Sequence, residues 1–244
     1  MSRRRAGFGA TGDRLKRVAA LLGFAADFVE IPCAEGQGVV DRAMASARLV
    51  IEHLDCGSVR DVNLTIAVGE CISLTGVSGS GKTRLLRAIA DLDEHQGTVR
   101  LDGKDRRCFA PSHWRQRVVM VPAESHWWAD MVGAHLNDSP DADLKALGFD
   151  PQVRGWSVRR LSSGERQRLG LARAVALEPA VLLLDEPTAN LDAEATGRVE
   201  HWLAERRRQN GMAMLWVTHN AAQAARVAQR SYRISEGLLQ PVFP

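Results

Sequence analysis

A glycine-rich loop between an apolar strand and a helix is the feature that most restricts how this chain can fold. Residues 76–83 fit the pattern Gly-x-x-x-x-Gly-Lys-Ser/Thr at every fixed position. The pattern predicts a buried strand at residues 71–74 and a helix at residues 82–90. Glycines let successive backbone N–H groups point at phosphate oxygens, and the helix N-terminus adds positive potential. The loop therefore predicts a phosphate-binding turn between a strand and a helix.

Two side chains at the end of this loop carry the rest of its chemistry. Lys82 can reach the β- and γ-phosphates of a nucleotide, and the Thr83 hydroxyl can bind Mg²⁺. The residues that we assign to the nucleotide here are Gly76, Ser78, Gly79, Ser80, Gly81, Lys82 and Thr83. A chance glycine-rich turn is disfavoured because a strand is predicted before the loop and a helix after it.

Two adjacent carboxylates end a second apolar strand. One valine and three leucines at residues 181–184 are followed by Asp185 and Glu186. Parallel sheets place ligands at the carboxyl ends of their strands. Asp185 is suited to hold Mg²⁺ through water, and Glu186 to orient and deprotonate a water near the γ-phosphate. Two acids alone would fit a solvated turn equally well, but their combination with the phosphate loop favours catalysis.

Strands and helices alternate along most of the chain, which predicts a mostly parallel sheet covered on both faces. Two short strands, 49–54 and 63–66, are expected to belong to a small antiparallel sheet. The other predicted elements are strands at 98–101, 118–121 and 213–217, helices at 164–176 and 193–209, and a polar, turn-rich stretch at 137–158.

Residues 161–168 read Leu-Ser-Ser-Gly-Glu-Arg-Gln-Arg and resemble the signature LSGGQ-x-QR of the ATP-binding-cassette (ABC) family, with Ser163 and Glu165 as mild substitutions. The resemblance implies a helix start that faces the γ-phosphate of ATP on a second copy. Ser162, Ser163 and Gly164 are the contacts that it implies there, and a helix N-terminus favours an anion. A helix-capping box explains the same residues, and the two interpretations are compatible.

Further resemblances follow in the order that the family shows. Residues 189–192 resemble a loop that contacts the partner subunit, which includes Asp192 among the nucleotide-site residues. Residues 216–219 resemble a strand that ends in a histidine, so His219 would contact the γ-phosphate, although a lone histidine is more often structural. The resemblance covers about residues 48–240. It implies an α/β, P-loop NTPase fold with a RecA-like core, a small antiparallel β-subdomain and a helical subdomain at about 125–172.

Glu124 departs from the family pattern. The family places a glutamine after the strand that here is predicted at 118–121, and Glu124 stands in that place. A carboxylate binds Mg²⁺ more strongly, but it lies unfavourably near phosphate charge unless the metal lies between them. We therefore assign Glu124 to the nucleotide and to Mg²⁺.

The adenine-stacking aromatic residue of the family is missing from its usual place upstream of the phosphate loop. Residues 55–60 contain no aromatic residue, and the chain's one tyrosine is Tyr232. Base stacking contributes about 1–3 kcal/mol. We expect weak ATP binding or poor discrimination between ATP and GTP.

Composition restricts location and partners. The net charge of +3 is small, and nucleic acid is not an expected partner because the arginines at 154–173 fall within the signature region. The four cysteines form no CxxC pair and indicate neither a zinc site nor a disulfide framework, which favours a reducing compartment. We find no apolar run of membrane-spanning length and no signal peptide. We expect a cytoplasmic protein that reaches the membrane only through a partner.

Residues 1–47 read as an extension ahead of an ABC ATPase domain at 48–244. Apolar residues within 13–28 can line one face of a helix. A docking helix, a mobile tail and a translation start at Met44 all remain open, and we assign the extension no function.

Trp127 and Trp128 bear on the choice between functions. They either anchor a helix of a membrane subunit or fill the core of the helical subdomain. Our main hypothesis is the ATP-hydrolysing subunit of an ABC transporter, active as a homodimer on a transmembrane permease. The alternative is a soluble ABC ATPase that acts on DNA, ribosomes or another protein machine. A catalytically silent regulatory subunit is opposed by the presence of Lys82, Asp185, Glu186 and His219.

Overall fold

A computed structural model describes residues 47–136 and 139–243 of the 244-residue chain. The extension predicted at 1–47, including its helix at 13–28 and the start at Met44, lies outside the described residues except for Ala47. No helix in the described part is both long and apolar enough to cross a membrane.

The larger of two sheets is mostly parallel. Its spatial order is β10-β9-β3-β8-β7-β6, and the edge strand β10 alone runs antiparallel to its neighbour. Its strands are β3 (Cys71–Thr75), β6 (Val118–Val121), β7 (Val181–Asp185), β8 (Ala213–Val217), β9 (Arg230–Ser235) and β10 (Leu238–Val242). Every residue of β7 and β8 is buried. This agrees with the near-continuous apolar sequences of parallel strands that are covered on both faces.

The second sheet has four antiparallel strands in the order β2-β1-β4-β5. They are β1 (Ala47–Cys56), β2 (Val59–Ala67), β4 (Gln96–Leu101) and β5 (Lys104–Asp105). Along β2 the apolar side chains alternate with polar ones, and Val62, Leu64 and Ile66 are buried. Alternation with a period of two is typical of a sheet that has one covered face.

Six α-helices are described. They are α1 (Lys82–Ile89), α2 (Pro111–Arg117), α3 (Asp141–Ala146), α4 (Ser163–Val175), α5 (Ala193–Asn210) and α6 (Ala221–Val227). Short 3₁₀ turns occupy Arg106–Cys108, Val132–His135, Pro151–Gly155 and Val158–Arg160.

The parallel sheet separates two apolar cores. Val181 and Leu183 of β7 pack into a core shared with α1 and the antiparallel sheet. Leu182 and Leu184 point the other way, into a core shared with α4 and α5. Successive side chains of a strand point to opposite faces, so one apolar strand supplies both cores. The predicted fold class, a mixed α/β P-loop NTPase fold, is confirmed.

Three sequence interpretations differ from the structure. The pattern did not predict β5, β9, β10, α2 and α6. The stretch at 137–158 contains α3 and the 3₁₀ turn Pro151–Gly155, while residues 137 and 138 lie outside the described part. Cys108 is disulfide-bonded, whereas Cys56 and Cys71 are free and buried. The division into an extension and a helical subdomain at 125–172 stays a prediction.

Candidate functional site

The phosphate loop joins the end of β3 to the start of α1. Gly81 immediately precedes the helix with φ +101°, in the left-handed region that glycine tolerates. A Cβ at Gly81 would overlap Cγ2 of Val59 in β2, and one at Gly76 would lie 2.8 Å from the Ile234 carbonyl oxygen. The loop is thus held between the two sheets, at a place where these glycines leave no room for a side chain.

Lys82 lies inside the curve of this loop. Its Nζ donates to the carbonyl oxygens of Gly76 and Val77, each at 2.9 Å, and the residue is only 6% exposed. Burial lowers the pKa of Lys82, and the carboxylates of Glu186 and Asp185 partly oppose that shift. Ser80 Oγ is buried in the same loop, with no hydrogen-bond partner among the described residues. An ammonium group beside an unused hydroxyl fits a loop built to receive phosphate oxygens.

Thr83 and Asp185 meet at the carboxyl edge of the parallel sheet. Thr83 Oγ1 donates to Asp185 Oδ2 at 2.7 Å, and Asp185 is 5% exposed. Burial raises the pKa of Asp185, while the hydrogen bond from Thr83 and the charge of Lys82 lower it. Two oxygen donors beside a phosphate loop are the kind of ligands that Mg²⁺ prefers, so these residues fit the metal.

Glu186 and His219 form the second polar pair at this edge. Asp185 pairs with Val217 where the neighbouring strands β7 and β8 end, so the residues that follow each strand lie close together. Glu186 Oε1 and His219 Nε2 are 2.5 Å apart, with side chains 31% and 48% exposed. Glu186 has φ +49°, in the left-handed region that it shares with six other described non-glycine residues. The carboxylate is thus oriented by the imidazole and remains open to solvent.

Gln167 is a functional candidate that the sequence interpretation missed. It is 2% exposed, and its Nε2 donates to the carbonyl oxygens of Glu186 at 3.0 Å and Ala123 at 3.4 Å. Its Oε1 is buried without a hydrogen-bond partner among the described residues. A signal was present, because Gln167 falls within the resemblance to the signature segment.

The signature segment begins helix α4 as a capping box. Ser162 Oγ accepts from the Glu165 backbone N–H at 3.2 Å, and Glu165 Oε2 accepts from the Ser162 N–H at 2.8 Å. The hydrogen bonds donated to Glu165 Oε2, by the Ser162 backbone N–H first and then by the Ser162 hydroxyl, lower the pKa of Glu165. A Cβ at Gly164 would lie 3.1 Å from the carbonyl oxygen of Asn190, so the helix start lies against the loop before α5. The capping interpretation thus holds, and it leaves Ser163 exposed at the first helical position.

Asp192 lies at a helix N-terminus, whereas Glu124 lies in a loop. Asp192 caps α5 by accepting from the Ala195 N–H at 2.7 Å. Glu124 is exposed in the loop after β6. No hydrogen bond within the described ranges joins either residue, or Ser162, Ser163 and Gly164, to Lys82, Thr83 or Asp185. The structure therefore groups Lys82, Thr83 and Asp185 at the phosphate loop. Ser162, Ser163 and Gly164 lie outside this group.

A wide cavity of about 1390 Å³ adjoins the phosphate loop. Gly76 and Ser80 line one side, and Tyr232 of β9 and Phe243 lie in its wall. Sequence order did not reveal this position of Tyr232, because β9 was not predicted. The β1–β2 turn at Ser58 also reaches the cavity and, as expected, offers no aromatic side chain.

The two adjacent tryptophans differ in how far they are buried. Trp127 packs against the second apolar core, whereas Trp128 is 74% exposed. The Arg173 guanidinium lies 5.1 Å and 4.9 Å from their ring centroids, and the His135 ring contacts both edge-on. The pair therefore presents one fixed aromatic side chain at the surface.

Comparisons with known proteins place this site in a family. A family model described as ABC transporter matches residues 59–189, more than half of the chain. The aliphatic sulfonates import ATP-binding protein SsuB 2 of Pseudomonas syringae pv. syringae is 37% identical over 180 residues, which are 72% of this chain and 63% of that protein. The L-cystine import ATP-binding protein TcyN of Bacillus subtilis is 34% identical over 203 residues, 74% of this chain and 78% of that protein.

A solved structure shows the same fold. The protein cbiO1 of Clostridium perfringens, part of the ABC transporter complex cbiONQ, superposes with a TM-score of 0.67 at 23% identity, over 80% of this chain and 87% of that one. This chain spans less than two thirds of the length of the sulfonate relative. The family that the signature resemblance predicted is confirmed. With a model match over residues 59–189, the chain belongs to the ABC transporter family.

Proposed function

We propose that the chain binds ATP at residues 76–83 and hydrolyses it as the ATP-binding subunit of an ABC transporter. The observation that carries the proposal is the Glu186–His219 pair, 2.5 Å apart, beside the Thr83–Asp185 pair on the same edge of the sheet. Phosphoryl transfer needs positioning and charge stabilisation more than covalent chemistry from the protein, and these four side chains suit both.

The roles divide between the two pairs. Thr83, Asp185 and Glu124 would hold Mg²⁺, which would supply charge neutralisation for the bound phosphates. Lys82 and the loop N–H groups hold the phosphates. Glu186 accepts a proton from the attacking water, and His219 fixes the carboxylate and contacts the γ-phosphate.

A second copy of the chain completes the site in this proposal. The start of α4 offers the N-terminus of a 13-residue helix, with Ser162 and Ser163 exposed and without hydrogen bonds to the chain's own phosphate loop. A helix N-terminus favours an anion, and ATP bound to a partner supplies one. Asp192 belongs to the loop beside it and faces the same partner.

The relatives support transport as the work that hydrolysis drives. Both curated relatives are named import ATP-binding proteins, which supports a membrane permease as the partner and import as the direction. Exposed Trp128 supplies an apolar anchor of the type that a partner helix buries. The protein then acts on the cytoplasmic face of the membrane, peripherally and through that permease.

Purification from membranes tests this proposal. A tagged chain isolated in mild detergent is expected to carry a protein with several membrane-spanning segments and to hydrolyse ATP. Trp128→Ala should release that protein, while Leu177→Ala, which removes another exposed apolar side chain, should retain it. Steady association with a soluble machine instead would favour the alternative class, and retained partner without ATP turnover would indicate a regulatory subunit.

A further inference from the structure

Arg84, in the first turn of α1, reaches from the phosphate loop to the turn between β1 and β2. The first hydrogen bond of α1 runs from the Leu85 N–H to the Gly81 carbonyl oxygen, so the helix does not use the N–H groups before Leu85. The Arg84 side chain extends to Gly57, which lies in the β1–β2 turn. This side chain therefore joins the phosphate loop to a turn that has no aromatic residue.

The guanidinium of Arg84 lies face-on against Gly57. A Cβ at Gly57 would lie 2.5 Å from Cζ, 2.5 Å from Nε and 2.6 Å from Nη1 of Arg84. No point within the guanidinium plane is that far from all three atoms at once, so the Cβ position lies above the plane and not beside an edge. Gly57 thus leaves room for a flat group that any larger residue would displace.

The rest of the Arg84 guanidinium is accessible and unpaired. Within the described ranges it makes no hydrogen bond and no ion pair. Asp93, an acid close enough to feel its charge, is already held by Nε and Nη2 of Arg87 at 2.9 and 2.8 Å. Because Arg84 is exposed, its surface away from Gly57 is open to a ligand.

The proposed function determines which end of the nucleotide lies near Arg84. Glu186 and His219 follow β7 and β8, so the γ-phosphate belongs on that side of the loop. The β1–β2 turn borders the loop at another place, since a Cβ at Gly81 would lie 3.4 Å from Ser58 Oγ. The nucleoside is at the opposite end of the triphosphate from the γ-phosphate, and it therefore extends toward this turn.

We propose that the Arg84 guanidinium, supported by Gly57, is the surface on which the nucleotide base stacks. Guanidinium planes stack on bases, and the positive charge is attracted to the π-face. Either purine offers such a face, so Arg84 increases the affinity for adenine and guanine nucleotides alike. The inference rests on the proposed function, because it requires phosphates bound at residues 76–83.

Calorimetric titration of the full chain with ADP and with ribose 5-diphosphate, both in the presence of Mg²⁺, isolates the contribution of the base. Neither ligand is a substrate for hydrolysis, and the second lacks only the base. The wild type should bind ADP about fivefold or more tightly than ribose 5-diphosphate.

Arg84→Lys keeps the charge but removes the flat group. The ratio of the two affinities should fall to about one, while the affinity for ribose 5-diphosphate stays within about twofold of the wild type. Arg87→Lys is the control, because Arg87 lies on the same helix but holds Asp93. It should keep the wild-type ratio.

Gly57→Ala tests the support beneath the guanidinium. The new Cβ would displace the Arg84 group, so the preference for ADP should again fall. Gly69→Ala is a matched control: Gly69 has φ +70° and Gly57 has φ +61°, but the nearest atom to a Cβ at Gly69 is 3.9 Å away. This variant should keep the preference.

Four results would count against the proposal. A preference for ADP that survives in Arg84→Lys, or in Gly57→Ala, would overturn the stacking surface. An equal loss of both ligands in Arg84→Lys would assign the side chain to the phosphates or the ribose instead. Equal affinities in the wild type would exclude any base platform. Binding of neither ligand by the wild type would contradict the proposed function itself, together with this inference.

Discussion

The carboxylate of Glu186 and the imidazole of His219 follow two different strands of one sheet, yet Oε1 and Nε2 lie 2.5 Å apart. Such a contact holds the carboxylate in one orientation while its open side meets solvent. In the proposed function, this pair supplies the base that hydrolysis needs beyond nucleotide binding.

Glu186→Gln is expected to lower ATP turnover by about 10²- to 10⁴-fold, the contribution typical of a general base. ATP affinity should change little, because Lys82 and the loop backbone still hold the phosphates. Steady-state turnover and equilibrium nucleotide binding measure the two effects separately. Glu194→Gln, which alters an exposed carboxylate on α5, serves as the control. Full turnover in Glu186→Gln would remove Glu186 from the catalytic role.

Gly81→Ala should destabilise the fold and weaken nucleotide binding. An alanine at φ +101° is strained by about 1–3 kcal/mol, and its Cβ would also overlap Val59. Gly103→Ala is a matched control, because Gly103 has φ +80° but open space around its Cβ position. Urea unfolding should show a larger loss of free energy for Gly81→Ala. Equal losses in the two variants would mean that the contact with Val59 has no influence.

The capping box of α4 should stabilise the chain in a pH-dependent way. Hydrogen bonds from Ser162 lower the pKa of Glu165, so the folded state favours the carboxylate. The stabilisation is therefore present above the ordinary glutamate pKa of about 4.3 and is lost as pH falls through the lower folded value.

Urea unfolding at several pH values checks this expectation. At pH 7, Glu165→Gln should cost up to about 1 kcal/mol, a small effect because the pair is solvent-exposed. The difference from the wild type should shrink below pH 4. Glu94→Gln, at an exposed loop position, should show no such trend. A difference that grows as pH falls would contradict a lowered pKa for Glu165 in the folded chain.

Glu124→Gln is expected to retain ATPase activity, because glutamine also offers an oxygen to Mg²⁺ and is the residue that the family places there. Turnover within a few-fold of the wild type is the expected result, measured over a range of Mg²⁺ concentrations. A loss comparable with that of Glu186→Gln would show that the carboxylate is essential.

Discrimination between ATP and GTP should be poor. Residues 55–60 supply no stacking side chain, and stacking contributes about 1–3 kcal/mol where it occurs. Competition binding should therefore give affinities within about tenfold of each other. A strong preference for adenine would contradict this expectation and would direct attention to Tyr232 in the cavity wall.

The strands around the phosphate loop were predictable because their sequences are apolar throughout. β8 has the predicted bounds, and β7 and α1 differ from prediction by one residue each. In contrast, β9 reads Arg-Ser-Tyr-Arg-Ile-Ser and has one fully buried residue, Ile234. Its strand conformation depends on pairing with β3, a tertiary contact that no local pattern reveals.

Site residues that belong to a sequence motif could be predicted. A residue whose role depends on a tertiary hydrogen bond could not be assigned in the same way. The sequence placed Lys82, Thr83 and Asp185 in one site, and the structure brings them together. Gln167 lies within the signature resemblance, but its role in the site appears only through the two carbonyl groups that it bonds.

The Gln167 amide also limits how the site can move. Its two N–H bonds lie in one plane at a fixed angle of about 120°, and they end on the carbonyl oxygens of Ala123 and Glu186. If the loop after β6 shifts and keeps its bond, the amide plane must rotate and the second hydrogen must move with it. The Gln167 amide thus ties the loop that contains Glu124 to the peptide of Glu186 through one rigid plane.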